Sequence, residues 1–442
     1  MSSQNFRMTL IPLLGVALVA CSGGSPGTLE GGIGPNPALP QPVSSLIPTM
    51  QVAPAIGWRS GATPRGFPGT AVGLFAGGLV HPRWIYVLPN GDVLVAESNA
   101  PAEGGAEMKG IRAFFMKRAQ KKAGAATPSA DRITLLRDAD GDGKAELRTT
   151  FLANLHSPFG MALVGTDFYV ANADSLMRFN YTPGATAATG TGVKVVDLPG
   201  GPMNHHWTKN VIASADGSRL YVTVGSNSNV GENGLEAERD RAAILEVDPS
   251  AGSYQIYASG LRNPNGLAWE PHTSMLWTAV NERDELGNNL VPDYMTSVQK
   301  GAFYGWPFSY FGQHVDVRVK PQRPDLVARA VVPDYALGAH AASIGLAYSA
   351  GNALPQPLSN GMFVGQHGSW NRKPPSGYKV IFIPFKDGKP AGEPLDVLTG
   401  FLNEKGEAHG RPVGVAFAAD GALLVADDVG NGIWRVAATA KR

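Results

Sequence analysis

One pattern of residues recurs along the chain: a polar opener, a glycine, an apolar triplet, a turn and a short β-rich run. The fullest copy runs from Asn204-His205-His206-Trp207 through Val211 and an Asp216-Gly217 pair to Leu220 and Gly225. Apolar residues alternate on both sides of that Asp-Gly pair, which is the signature of a β-hairpin. Related copies open at His81, His156, Arg262, His340 and Arg411, making six in all. Their spacing, roughly 50 to 80 residues, exceeds the ~40–50 of compact propeller repeats and leaves room for insertions. A lone hairpin cannot bury both of its faces, whereas hairpins arranged around an axis give every face a partner. The reading is therefore an all-β chain, a six-bladed β-propeller whose polar openers converge on the axis from different blades.

Composition agrees with a turn-rich β protein: of 442 residues, 55 are Gly and 34 are Pro. The formal charge of +1 supplies no basic field, which argues against nucleic acid as a partner. The N-terminus reads as an export signal over residues 1–20, with Arg7 ahead of an apolar stretch from Met8 to Ala20. Leu18-Val19-Ala20-Cys21 matches a bacterial lipobox, and Cys21 is the only cysteine. Lipidation at Cys21 would make a lipid anchor the chain's membrane contact, in the periplasm and on the outer membrane. Residues 21–50, rich in Gly, Pro and Ser, read as a flexible tether, and residues 51–442 as the propeller. Within an insertion at 101–130, Ala106 to Gly124 has helical amphipathicity, suited to a solvated helix on the propeller rim or to an anionic surface.

Candidate chemistry clusters near the openers. His205 and His206 are adjacent, so at most one of them faces the axis. Arg262, Arg372, Lys373 and Arg411 would together make a pocket for a polyanionic small molecule, because guanidinium groups grip carboxylates in pairs of hydrogen bonds. The Asn281–Glu285 loop, with Glu282 and Asp284, and the nearby Asp293 offer oxygen ligands for a hard cation such as Ca²⁺, or form surface ion pairs. Separately, Asp138, Asp140 and Asp142 alternate with glycines like the first half of an EF-hand loop, but Thr149 stands where the closing glutamate belongs. That loop reads either as a structural Ca²⁺ site or as a plain Asp-Gly turn.

Five stretches carry a family resemblance: His205 to Asn210, Gly260 to Leu267, Asn281 to Gly287, Tyr304 to Pro307 and His367 to Arg372. From about Gly78 to Val436 the chain resembles the glucose/sorbosone dehydrogenase family, and most closely its sorbosone dehydrogenase-like lipoproteins. The resemblance implies a six-bladed propeller that uses pyrroloquinoline quinone (PQQ) and Ca²⁺. It implies His205 as the base that takes a substrate hydroxyl proton. It places Arg262 and Asn263 at the quinone's reactive carbonyl, Arg372 or Lys373 and Arg411 at its carboxylates, and Glu282 and Asp284 in the loop beside Ca²⁺. Asn204 stands where the glucose enzymes carry aspartate; an amide can orient an imidazole but stabilises its cation less. The expected activity is oxidation of a sugar, sugar aldehyde or polyol by hydride transfer to the quinone, with a cytochrome or membrane quinone as electron acceptor. A calcium-dependent lactonase-type propeller and a non-catalytic binding propeller are the alternatives.

Overall fold

The computed structural model describes residues 28–43, 50–102, 118–350 and 353–439. Six antiparallel sheets follow one another around a ring. Blade 1 comprises Pro82–Val87, Val93–Glu97, Arg132–Arg137 and Leu147–Leu152. Blade 2 comprises Met161–Val164, Asp167–Ala171, Ser175–Asn180 and Thr189–Asp197, and blade 3 Val211–Ala213, Leu220–Val224, Ala243–Asp248 and Ser253–Ser259. Blade 4 is Pro264–Glu270, Met275–Val280, Pro292–Ser297 and Tyr335–Ala339; blade 5 is Ser343–Ala350, Asn360–Gln366, Lys379–Lys386 and Leu395–Thr399. Blade 6 takes three strands from the C-terminal part, Pro412–Phe417, Leu423–Asp427 and Gly432–Ala438, and its fourth, Thr70–Ala76, from the N-terminal part. That pairing closes the ring. The first strands of successive blades touch one another and line the axis, so each predicted opener leads into an innermost strand.

Burial explains why these runs form strands where they do. Val93–Glu97, Leu220–Val224 and Leu423–Asp427 are buried along their whole length, because each lies between two neighbouring blades. The outermost Thr189–Asp197, by contrast, is largely exposed. Six apolar clusters lie one at each blade interface, and a smaller one, Phe308, Val319 and Val327, packs within the long connection of blade 4. Leu94 and Leu135 meet Phe168 between blades 1 and 2, Tyr169 meets Val222 between 2 and 3, and Ile244 meets Tyr294 between 3 and 4. Trp277 meets Ile381 between blades 4 and 5, Phe382 meets Trp434 between 5 and 6, and Val95 meets Leu424 between 6 and 1. Each buried aromatic or aliphatic side chain contributes about 1.5–3 kcal/mol, so every blade depends on both neighbours. Around the axis itself, Phe159, Trp207, Ile344 and Val413 come from four blades into one cluster. They make an apolar floor.

One expectation changes here. The tether predicted over residues 21–50 is structured well before its end. Ile33–Gly34 pairs with the outer strand of blade 4 at Leu337 and Ala336, and the Val43 N–H donates to the Leu286 carbonyl at 2.9 Å. Further on, Gln51 N–H bonds the Trp370 carbonyl, and Arg65–Gly66 extends blade 5. Linker-like composition was misleading because the open edges of blades 4 and 5 offer backbone partners that any residue can use. Of the amphipathic insertion, residues 118–122 are helical and the Lys122 carbonyl accepts from Ala55 N–H, so its end docks on the rim. Residues 103–117 lie outside the described residues, as does Cys21 with the signal segment. Among the described residues no helix is long and apolar enough to cross a membrane.

Candidate functional site

Antiparallel connectivity decides which loops can share a site. The entry to strand one and the loop between strands two and three leave each blade at the same end; the loop between strands three and four leaves at the other. The openers and the 2–3 loops therefore surround one mouth of the axis, above the apolar floor. Most of the contacts described next join these two loop types; Trp306, from the long connection between strands three and four of blade 4, and Trp58, from the N-terminal segment, reach the same mouth.

On the blade 3–4–5 side, Asp284 is the hub. Its Oδ1 accepts from Asn371 Nδ2 at 2.6 Å and faces His340 Nδ1 at 3.2 Å, while Oδ2 lies 3.9 Å from Arg262 Nη2. Arg262 also donates to the Glu282 carbonyl at 2.8 Å and to Asn229 Oδ1 at 3.1 Å. Asn229 bonds the Asp284 N–H through the same oxygen at 2.9 Å, and its own carbonyl accepts from Trp306 Nε1 at 3.0 Å. Burial alone would raise the Asp284 pKa, but His340, Arg262 and Asn371 together hold it below the ordinary value. Burial pushes the neighbouring Glu282 up to about 8 and Asp293 to about 6. Glu282 Oε2 accepts only the Arg283 N–H among the described residues, whereas Asp293 is taken by the Glu282 and Ser343 N–H groups.

The adjacent histidines lie in a turn ahead of the first strand of blade 3 and differ in exposure. His206 turns inward: its Nδ1 lies 2.6 Å from the Ser226 carbonyl, which assigns the proton to Nδ1 and leaves Nε2 basic. Burial lowers its pKa well below the usual value and the Arg262 charge lowers it further. A Cβ at Gly225 would lie 2.4 Å from both His206 Cβ and Asn263 Oδ1, so that glycine is what lets the two side chains meet. His205 is exposed, although it too feels the Arg262 charge. Asn204 does not orient either ring. Its amide points between blades 2 and 3, donating to the Ala173 carbonyl at 3.1 Å and accepting from Arg241 at 3.0 Å. The Ser226 carbonyl takes the part expected of it. Lys209, fully buried, ties this loop by donating to the Trp207 carbonyl at 3.2 Å.

Across the mouth, on the blade 5–6–1 side, Asp428 gathers a second set. Its Oδ2 accepts from His367 Nε2 at 2.8 Å and from Arg83 Nη1, and lies 3.7 Å from His81 Nε2. Arg411 sits over the Tyr378 ring, 5.1 Å from its centroid. Asp427, next along, is consumed by Trp58, Trp434 and the Arg411 and Gly430 N–H groups, so it is not available to assist a base.

Of the predicted cofactor residues, Arg262, Asn263, Arg372 and Arg411 are buried at this mouth, while Lys373 is exposed and holds Asn288 through its backbone. Several buried polar atoms here lack a hydrogen-bond partner among the described residues: Nε of Arg83, Arg372 and Arg411, and Oδ1 of Asn263 and Asn371. Such concentration is unusual for a folded protein and fits a site built for a polar, anionic ligand. Both oxygens of Asp284, expected beside Ca²⁺, face cationic or donor groups. Sequence reasoning missed Asn229, Asn371, Arg83 and Asp428. No local signal marked them, because their partners come from other blades.

The Asp138 loop lies between strands three and four of blade 1, hence at the opposite end of the ring. Carboxylate oxygens of Asp138, Asp140, Asp142 and Glu146 fall within 4.8 Å of one another. Glu146, not position 149, closes the set; Thr149 is inside a strand and bonds the Thr186 carbonyl.

Fold and site together define a six-bladed propeller with buried cationic and polar groups gathered at one mouth of the axis, above an apolar cluster. The sequence model of the TrAA12-like family matches residues 64–300 and 321–439, and the chain belongs to that family, as the resemblance to the glucose/sorbosone dehydrogenases implied. Among curated proteins, the pyrroloquinoline quinone-dependent pyranose dehydrogenase of Coprinopsis cinerea is 26% identical over 333 residues, 61% of this chain and 44% of that protein. The chain thus spans under half the length of that relative. The holo form of the PQQ domain of that organism's pyranose dehydrogenase superposes with a TM-score of 0.68 at 21% identity, covering 87% of this chain and all of the other. A calcium structure of the Trichoderma reesei Carbohydrate-Active Enzymes Family AA12 protein gives 0.68 at 17% identity, covering 88% and 99%. At these identities the structural likeness establishes the fold.

Proposed function

We propose that the chain is a PQQ-dependent dehydrogenase that oxidises a sugar or a related polyol or sugar aldehyde. The observation that carries this reading is the convergence of Arg262, Arg372 and Arg411 with unpartnered buried polar atoms around a single well. The donor set fits a planar polyanion: guanidinium groups at Arg372 and Arg411 would hold its carboxylates, and Arg262 with Asn263 would face its carbonyls. Bound there, the quinone would supply a two-electron acceptor for hydride. The chain's own contribution is to bind, orient and exclude water. His206, neutral and with Nε2 basic, is better placed than the exposed His205 to take a hydroxyl proton. Glu282, protonated or metal-bound, is the carboxylate of the 282–284 loop that remains open to a hard cation such as Ca²⁺. The names of the two relatives support both the quinone and the sugar. Lipidation at Cys21, a periplasmic outer-membrane location and a membrane-linked electron acceptor complete the proposal and rest on the N-terminal sequence.

An absorbance titration of the purified chain with PQQ, with and without Ca²⁺, tests the reading, followed by dye reduction across a panel of sugars. Saturable quinone binding that R262A weakens by tenfold or more is the expected result. Wild-type protein that fails to bind the quinone removes the proposal.

A further inference from the structure

Between the outer strand of blade 1 and blade 2 runs a groove that the quinone-binding reading does not use. It encloses about 600 Å³, within the ~300–1,000 Å³ usual for small-ligand sites. A bulge in blade 2 makes room for it. Arg178 pairs with Val193 and Asn180 with Thr189, which leaves Gly190, Thr191 and Gly192 opposite the single residue Phe179. Those three residues line the groove. A Cβ on Gly192 would lie 2.4 Å from the Phe179 ring, so glycine is what lets the ring form the wall beside the bulge. The far end is closed where the Ala188 N–H donates to the Phe151 carbonyl at 3.0 Å and Thr149 Oγ1 to the Thr186 carbonyl at 2.7 Å. Both walls are thus tied together in the free chain.

The near end opens at the mouth of the well. His156 and Asn172 border it there, and Asp174 Oδ2 holds the His156 ring, 2.9 Å from Nδ1. Asn154 and Ser157, on either side of His156, take left-handed backbone with φ of 57° and 46°. Such strain persists only where the surroundings fix it, and it gathers at ligand sites. Ala173 joins this end to the catalytic side of the well. Its N–H donates to the His156 carbonyl at 3.0 Å, and its carbonyl accepts from Asn204, two residues before His206, at 3.1 Å.

The lining selects the ligand. Asn154, His156, Asn172 and Thr191 offer hydrogen bonds, Leu155 and Met177 offer apolar surface, and no Lys, Arg, Asp or Glu lines the groove. A polyanion finds no cation here. A neutral sugar presents hydroxyls and C–H faces together, which is the combination this lining matches. Resting on the dehydrogenase reading, we propose that the groove is a subsite for a neutral oligosaccharide. Its terminal sugar reaches the well, where His206 takes the hydroxyl proton, and the sugars behind it lie along the groove against Thr191 and the Phe179 wall. Binding energy collected away from the reacting carbon then favours a longer substrate over a monosaccharide.

Calorimetric titration of the quinone-free chain with cellotetraose, maltotetraose, mannotetraose and xylotetraose, each against its monosaccharide, tests this. At least one tetrasaccharide is expected to bind about tenfold or more tighter than its monosaccharide. Hydrogen exchange with that tetrasaccharide bound is expected to slow in residues 150–156 and 187–192. Thr191 is exposed, so T191W fills the bulge without touching the core, and it should weaken tetrasaccharide binding by about tenfold. H156A, at the other end of the groove, should weaken it by about fivefold through one lost hydrogen bond. In chain loaded with PQQ and Ca²⁺, kcat/KM should favour the tetrasaccharide over its monosaccharide, and T191W should remove that preference. Four tetrasaccharides that bind no better than their monosaccharides, slowed exchange confined to other segments, or T191W with wild-type affinity overturns the proposal. If the wild-type chain binds no quinone, the function reading fails alone, and the quinone-free titration still decides whether the groove holds sugar.

Discussion

Two carboxylate clusters lie at opposite ends of the ring and differ in what surrounds them. At the well, Asp293 and Glu282 are buried and Asp284 is half-buried; Asp284 is paired with Arg262 and His340 while Glu282 and Asp293 are pushed towards neutrality. At the far end, Asp138, Asp140, Asp142 and Glu146 are partly or fully exposed and converge with no buried cation among the described residues to neutralise them. Acidic residues in water need no partner, whereas a buried carboxylate must be paired, hydrogen-bonded or protonated. The same residue types therefore yield a locked network in one place and an open ligand set in the other.

The largest effect is expected where the locked network meets the rest of blade 4. Arg283 and Asp316, 1% and 2% exposed, form an ion pair within it. R283M should destabilise the chain by about 3 kcal/mol, because it takes from buried Asp316 the closer of its two guanidinium partners and leaves only Arg318 at 3.5 Å; urea unfolding measures it, and a loss below about 1 kcal/mol would show that the wall is looser than its hydrogen bonds suggest. Next in size is the hub. D284N keeps the shape but removes the charge that Arg262 and His340 share, and quinone affinity in an absorbance titration should fall by about tenfold or more.

Acid should strain the well more than the far loop. His81, His206 and His367 are all held below the ordinary histidine value by burial, the last at about 4. An unfolded histidine binds its proton near pH 6.5, so the unfolded state takes up more protons than the folded one below that point. Stability from these three is complete above about pH 6.5 and declines as pH falls towards 4. Melting temperatures across that range should show the decline, and H367Q should flatten part of it; a curve unchanged in H367Q refutes the assignment. The smallest effect belongs to the exposed cluster. Millimolar Ca²⁺ should raise the melting temperature slightly through the Asp138 loop, and D140N with D142N should abolish that increment without touching quinone binding.

How legible this was in the sequence differs between elements. The six openers were readable because a hairpin repeat imposes its period on the chain, and each leads to an innermost strand. Arg262 and Arg411 followed, since they occupy opener positions. His206 was harder: adjacency showed that one imidazole faces the axis, but only packing against Gly225 and Ser226 picked which one. Asn229, Arg83 and Asp428 left no local signature, because what they do depends on partners from other blades, with Asp428 and His81 347 residues apart in the chain. The tether erred for the same reason, as its partners are the edges of blades 4 and 5.

By itself the sequence determined the all-β repeat, the number of blades and the concentration of cationic and imidazole groups at their entries, because local periodicity and turn chemistry are carried by neighbouring residues. Tertiary structure alone decided which histidine faces the axis, which acids are paired and which two walls the well presents. Those outcomes depend on burial and on charge at distances of a few ångströms between residues far apart along the chain, and no local pattern encodes either.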